Sequence, residues 1–327
     1  MKLGTLKEGG RDGTLVLVSR DLSKAVRVSD IAATLQAALD DWEATAPRLA
    51  ERYDQLMDGQ LDGIFDLTPE RLAAPLPRAY QCLDGSAYLP HVRRVRKARG
   101  ADLPESYLTD PLMYQAVSDG FLAPTDPIPL ESLDHGADFE AEIAVITSDI
   151  PTGADAKTCA QHIELITLMN DVSLRLLIPN ELSKGFGFLQ SKPRSALAPV
   201  AVTPDELNDA WVDSVLHGPL VTTLNDTLFG QPNAGQDMQF SFAELLAHAA
   251  KTRPLSAGTL MGSGTIANQD PSVGASCLVE KRVLEMVEKG EASTPFLTTG
   301  DRVRIEMLDR DGQSIFGAIE QVVRCKG

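Results

Sequence analysis

An α+β fold dominated by sheet is predicted by three observations. Apolar and polar residues alternate along 138–146, 302–308 and 314–323, which is the period of a strand. Stripes of helical period are few, confined to 29–56, 156–168 and 242–252. Strands and helices do not follow one another regularly, which argues against a doubly wound parallel sheet.

The elements follow in order. Gly13-Thr14-Leu15-Val16-Leu17-Val18-Ser19 reads as a strand entered through a glycine turn. Ser29 is placed to cap a helix carrying Ile31, Leu35, Leu39 and Trp42 on one face. Pro47 ends or restarts that helix, and Leu49, Tyr53 and Leu56 continue its apolar stripe. Pro75-Leu76-Pro77 breaks the pattern and divides a small N-terminal domain, 1–75, from a larger one, 76–327. In the larger part, 156–168 reads as a helix, Leu220–Leu224 as a strand before a turn at Asn225-Asp226, and 242–252 as a helix. The segments 302–308 and 314–323 form a hairpin around Asp309-Arg310-Asp311-Gly312.

Asp138-Phe139-Glu140-Ala141-Glu142-Ile143 is the most informative stretch. As a strand it sets Asp138, Glu140 and Glu142 on one face, about 7 Å apart. Carboxylates stacked this way repel when desolvated, and a hard divalent cation with oxygen ligands would relieve that repulsion. A solvated acidic edge strand is the alternative.

Composition narrows the function classes. The net charge of −16 argues against a nucleic-acid groove and an anionic membrane surface, though a metal or a few cations can still seat an acidic substrate. No apolar run reaches the length of a membrane span, and Met1-Lys2-Leu3-Gly4-Thr5 shows no signal-peptide pattern, so a cytoplasmic location is expected. Cys82, Cys159, Cys277 and Cys325 lack metal-site or disulfide spacing, so reduced thiols are the default.

Several short motifs carry potential chemistry in a fixed order. Asp84 precedes His91 by seven residues; Glu140-Ala141-Glu142 follows; then come Asn170-Asp171-Val172-Ser173-Leu174-Arg175, Gly185-Phe186-Gly187-Phe188-Leu189-Gln190-Ser191-Lys192-Pro193 and Gly262-Ser263-Gly264-Thr265-Ile266. Singly, each is weak: Asp84 and Asp171 read equally as turn or cap residues, and the Gly-Ser-Gly-Thr run as a tight turn. In this order, with Ser276 to Arg282 and the Thr294-Pro295-Phe296 and Gly300-Asp301-Arg302-Val303 stretches behind them, they resemble the fumarylacetoacetate hydrolase family from about Pro75 onward. The N-terminal module is similar to the one preceding the catalytic domain of fumarylacetoacetases.

The resemblance implies a mixed β-sheet roll as catalytic domain, a homodimer, and a metal site built from Asp84, Glu140, Glu142 and Asp171. Such an all-carboxylate set suits Mg²⁺ or Ca²⁺, admits Mn²⁺, and disfavours zinc. It further implies that His91, oriented by Glu280, activates water. Lys192 and the Gly264–Thr265 backbone would stabilise an oxyanion, and Lys192 and Arg175 would offset the site's negative charge and seat an anionic substrate. Tyr114 and Arg99 would contact the substrate carboxylate, the arginine lying one residue off the family position. His135, His162, His217 and His248 match no motif. Two departures stand out: Val172 where fumarylacetoacetases carry Trp, and Ile178 where they carry Gln. The implied substrate is a β-diketo acid, with fumarylacetoacetate of aromatic amino-acid catabolism leading. An acylpyruvate hydrolase, an oxaloacetate-type decarboxylase, or a noncatalytic metal-binding dimer are the alternatives.

Overall fold

A computed structural model describes residues 1–98 and 103–326; Arg99 lies outside the described residues. The central feature is a mixed sheet whose order runs Phe65–Asp66, Lys24–Arg27, Thr14–Val18, Lys2–Leu6, Val200–Val202, Ile163–Asn170, Ala141–Thr147, Thr259–Gly262, Gln81–Gly85, Met113–Ala116. The N-terminal strands therefore continue the sheet of the larger part, through Lys2–Leu6 pairing antiparallel with Val200–Val202. Thr259–Gly262 and Gln81–Gly85 are parallel, whereas Ala141–Thr147 runs antiparallel to both of its neighbours. A second sheet, ordered Thr227–Gly230, Leu220–Leu224, Arg302–Met307, Ile319–Cys325, Ile128–Leu130, packs against Ile163–Asn170. Asn170 Nδ2 donates across this junction to Gln321 Oε1 at 2.9 Å.

The acidic strand is neither an edge nor solvated. Every residue of Ala141–Thr147 is buried. Its odd positions, Ala141, Ile143 and Val145, enter one core with Phe139 and Ile166; Ala144 and Ile146 enter a second core with Leu3, Leu15, Leu17, Leu35 and Leu39. Glu142 shares the face of Ala144 and Ile146, so a carboxylate sits at the end of an otherwise apolar layer. The strand is also shorter than the alternation predicts. Ala137–Asp138 pairs instead with Ser173–Leu174, and Glu140 makes a lone bridge to Cys277.

Four other expectations are corrected. Thr34, not Ser29, caps the first helix, Leu35–Leu39, with Oγ1 accepting from the Ala37 amide at 3.1 Å. Trp42 opens a separate helix, Trp42–Met57, that contains Pro47 and buries Leu49, Tyr53 and Leu56. The segment 156–168 is helical only over Ala156–Ala160; from Ile163 it is a central strand, because pairing along Ala141–Thr147 outweighs a helical apolar stripe. The last hairpin pairs Arg302–Met307 with Ile319–Cys325, so its second strand starts later than the alternation suggests. Asn225 and Asp226, at φ 51° and 63°, make the tight turn expected after Leu220–Leu224. Helix Phe242–Ala249 also forms, closed by a Ser241–Glu244 capping box. No helix among the described residues is long and apolar enough to cross a membrane.

Candidate active site

Three carboxylates converge where neighbouring strands end. Asp84 lies near the end of Gln81–Gly85, Glu142 near the start of antiparallel Ala141–Thr147, and Asp171 just beyond Ile163–Asn170. Oxygens of the three lie within 4.8 Å of one another, all buried. Both Glu142 oxygens are buried without a hydrogen-bond partner among the described residues. A buried ionised carboxylate with no donor is costly, so this acceptor set fits a hard cation. Burial and the Asp171 charge push the Asp84 carboxyl up to about 8, and burial with Asp84 and Asp171 holds Glu142 well above the carboxylate range. Gly262 leaves the room: a Cβ there would stand 2.4 Å from Asp84 Oδ1 and 3.1 Å from Glu142 Oε2.

Glu140 has the opposite surroundings. Arg175 Nη2 and Thr265 Oγ1 each donate to Oε1 at 2.7 Å; Lys192 Nζ at 2.5 Å and Ser173 Oγ at 3.0 Å donate to Oε2. Burial opposes its ionisation, but Arg175 and Lys192 prevail and hold its carboxyl well below the usual range. Lys192, itself buried, also donates to Asp171 Oδ2 at 2.5 Å, and the two carboxylates outweigh burial to keep the ammonium charged. Asp171 takes further bonds from Tyr114 Oη at 2.6 Å and Ser195 Oγ at 2.7 Å. Tyr114 thus touches the carboxylate cluster directly. Gly264, at φ 78°, donates its amide to Asp84 Oδ1 at 3.1 Å, so this backbone group supports the cluster rather than pointing at an oxyanion.

His91 stands in the first turn of helix Leu89–Ala98, with Nδ1 3.3 Å from Glu280 Oε2 and Nε2 4.0 Å from Glu140 Oε1. Glu280, fully buried in helix Leu278–Lys289, pairs with neither Lys281 nor Arg282; its Oε1 accepts from Arg94 Nη1. Arg94 is a residue that sequence reading missed, although its position three after His91 on one helix face was a usable signal. Asp138 was seen but not assigned. Its oxygens accept from the Leu278 and Val279 amides at 2.6 and 3.0 Å and from Arg175 Nε at 2.8 Å. A carboxylate from a distant strand thereby caps the helix that presents Glu280. Arg175 is spent on Asp138 and Glu140, so its role is to bind these two acids together. Ser173 and Ser195 carried no signal beyond being small and polar.

Asp84, His91, Tyr114, Glu140, Glu142 and Lys192 open onto one cavity of about 360 Å³. Asp84, His91, Glu142 and Lys192 line its polar end; Val92, Leu112, Ile178, Leu182 and Phe188 line the apolar wall. Ile178 is buried in that wall and offers no donor.

The model of the fumarylacetoacetate (FAA) hydrolase C-terminal region matches residues 82–324, and that of fumarylacetoacetase N-terminal domain 2 matches 1–78. The chain belongs to the fumarylacetoacetate hydrolase family. Within this family it is 24% identical over 270 residues to the oxaloacetate tautomerase YisK of Bacillus subtilis, covering 81% of this chain and 79% of the relative. A putative HpcE protein from Mycobacterium smegmatis has the same fold at TM-score 0.71 and 18% identity, with both chains fully covered. So does a maleylpyruvate hydrolase from Sphingobium sp. SYK-6, solved with manganese(II) and pyruvate, at TM-score 0.66 and 16% identity over the whole of both chains. The family's fold is thus present here as an α+β catalytic domain preceded by the family's N-terminal domain.

Proposed function

We propose that this protein hydrolyses a carbon–carbon bond in a β-diketo acid, with fumarylacetoacetate the leading substrate and an acylpyruvate next. The reading is carried by one observation: His91, paired with the buried Glu280, lines the same cavity as Asp84 and the partnerless Glu142, with Glu140 and Lys192 also in its lining. Asp84, Glu142 and Asp171 would hold a divalent cation, and Glu140 would join them on giving up one of its donors; manganese in a family structure and the partnerless Glu142 both support a cation here. When bound, the cation supplies Lewis-acid polarisation of the diketone oxygens.

Glu280, fixed by Arg94, holds the His91 ring so that one nitrogen takes a proton from water. The water oxygen adds to the ketone carbon, and Lys192 donates to the oxyanion that forms. The oxyanion collapses to a carboxylic acid as the carbon–carbon bond breaks, and the electron pair of that bond passes to the departing keto-acid fragment as an enolate. His91 then returns the proton to that carbon. Arg175 keeps Glu140 ionised throughout, and the apolar wall around Ile178 and Phe188 excludes bulk water. Asp171 and Tyr114 hold Lys192 and the polar end in place.

The 24% relative favours a second reading, tautomerisation of oxaloacetate, which needs the same enolate stabilisation without water attack. Side-by-side assays with fumarylacetoacetate, an acylpyruvate and oxaloacetate, before and after chelation, separate the two. Turnover of a diketo acid that is lost on chelation and restored by Mg²⁺ or Mn²⁺ supports hydrolysis. Turnover of oxaloacetate alone replaces it with the second reading, and undiminished turnover after chelation removes the metal from the reaction.

A further inference from the structure

Beside the all-oxygen cluster lies a second group of donors of a different chemical kind. A ring nitrogen of His91, the Cys277 sulfur and a Glu280 oxygen lie within 4.8 Å of one another. Sequence spacing gives no sign of it, because packing of Leu89–Ala98 on Leu278–Lys289 brings together residues 189 apart. Cys277 immediately precedes that second helix and does not cap it through its side chain; Asp138 caps it instead. The thiol therefore gives no capping bond to this helix that a metal would have to break.

We propose that His91, Cys277 and Glu280 form a site for a thiophilic divalent ion such as Zn²⁺, and that filling it shuts off the His91–Glu280 pair. One nitrogen, one sulfur and one oxygen with an open fourth position is a zinc donor set. With bonds of about 2.0–2.3 Å, such donors sit roughly 3.5 Å apart, so the three must close in by about 1 Å at the widest. The half-buried His91 lines the cavity and offers the way in. Arg94 holds only one Glu280 oxygen, and the other faces His91. The Arg94 and Arg175 charges oppose a cation, while Asp138, Glu280 and Glu140 around the sulfur favour one. On binding, Cys277 releases its proton to solvent and the thiolate coordinates the ion. Mg²⁺ and Ca²⁺, which prefer oxygen, are not held here.

Cobalt(II) titration tests the site without turnover. A near-ultraviolet thiolate-to-cobalt charge-transfer band is expected in the wild-type protein, absent in Cys277→Ala and Cys277→Ser, and retained in Cys82→Ala. Zinc affinity should fall in the Cys277 variants by more than the ~10–100-fold that losing an outer partner costs. In the magnesium-loaded enzyme, zinc should inhibit the wild type and spare Cys277→Ser. No band in the wild type, or zinc affinity in both Cys277 variants equal to that of the wild type, overturns the site. The inhibition arm rests on His91 as the proposed base and the spectrum does not, so a band without inhibition refutes only the shut-off of that pair.

Discussion

Chelated protein should lose stability as pH rises from about 4 to 8, and the metal-loaded protein should not. The folded protein holds the Asp84 proton up to about pH 8, whereas an unfolded aspartate releases it near its ordinary value of 3.8. Between these values the folded state binds a proton that the unfolded chain has given up, so raising the pH favours unfolding. Glu142 is shifted in the same direction and adds to the effect. Four units at 1.36 kcal/mol each give about 5 kcal/mol for Asp84, an upper bound because water and side-chain relaxation soften buried electrostatics. At roughly 2 °C per kcal/mol, the melting temperature should drop by about 10 °C across the window. Calorimetric scans at successive pH values, with chelator and with Mn²⁺, isolate the cluster by difference. Parallel pH dependences in the two forms would refute the reasoning, since the bare carboxylates would then not be what the cation relieves.

Glu142→Gln should weaken metal binding by calorimetric titration while leaving the metal-free protein as stable as wild type or more so, because it removes an acid whose ionisation burial and the neighbouring carboxylates disfavour. Lys192→Met should cut turnover by on the order of 100-fold or more, the scale of about 3 kcal/mol for a lost oxyanion donor. It should also lower the melting point of the metal-free protein, because Glu140 and Asp171 lose their shared cation. His91→Ala should reduce kcat by roughly 100-fold with metal binding intact, and Glu280→Gln should do the same less severely; a rise in KM alone would make His91 a binding residue. Asp138→Ala should destabilise the fold by about 2–3 kcal/mol in denaturant unfolding, since the buried Arg175 loses one of its two carboxylates and a helix loses its cap.

Residue chemistry and order along the chain made the family and its acidic residues legible. The alternation from Asp138 to Ile143 announced buried carboxylates in need of a positive partner, and the chain does bury them. Helix Phe242–Ala249 and the Asn225-Asp226 turn were legible because their signals are local: a cap, an apolar stripe, two residues tolerant of positive φ. The strand Ile163–Asn170 was not. Its apolar residues satisfy both periods, and only the availability of Ala141–Thr147 as a partner chooses between them.

What the sequence by itself determined is the inventory of acids and cations, because these follow from residue type and order; the His91–Glu280 pair was expected only from the family resemblance. Which acids stand together was left to the tertiary structure. Asp138, Glu140 and Glu142 look equivalent along a strand, yet one caps a helix, one is saturated by Arg175, Lys192, Thr265 and Ser173, and one is left bare. The difference lies in donors arriving from residues 173–192 and 265–279, whose approach depends on how the sheet and the helix Leu278–Lys289 pack. A carboxylate's charge is written in the chain, but its partners are fixed only when distant segments close around it.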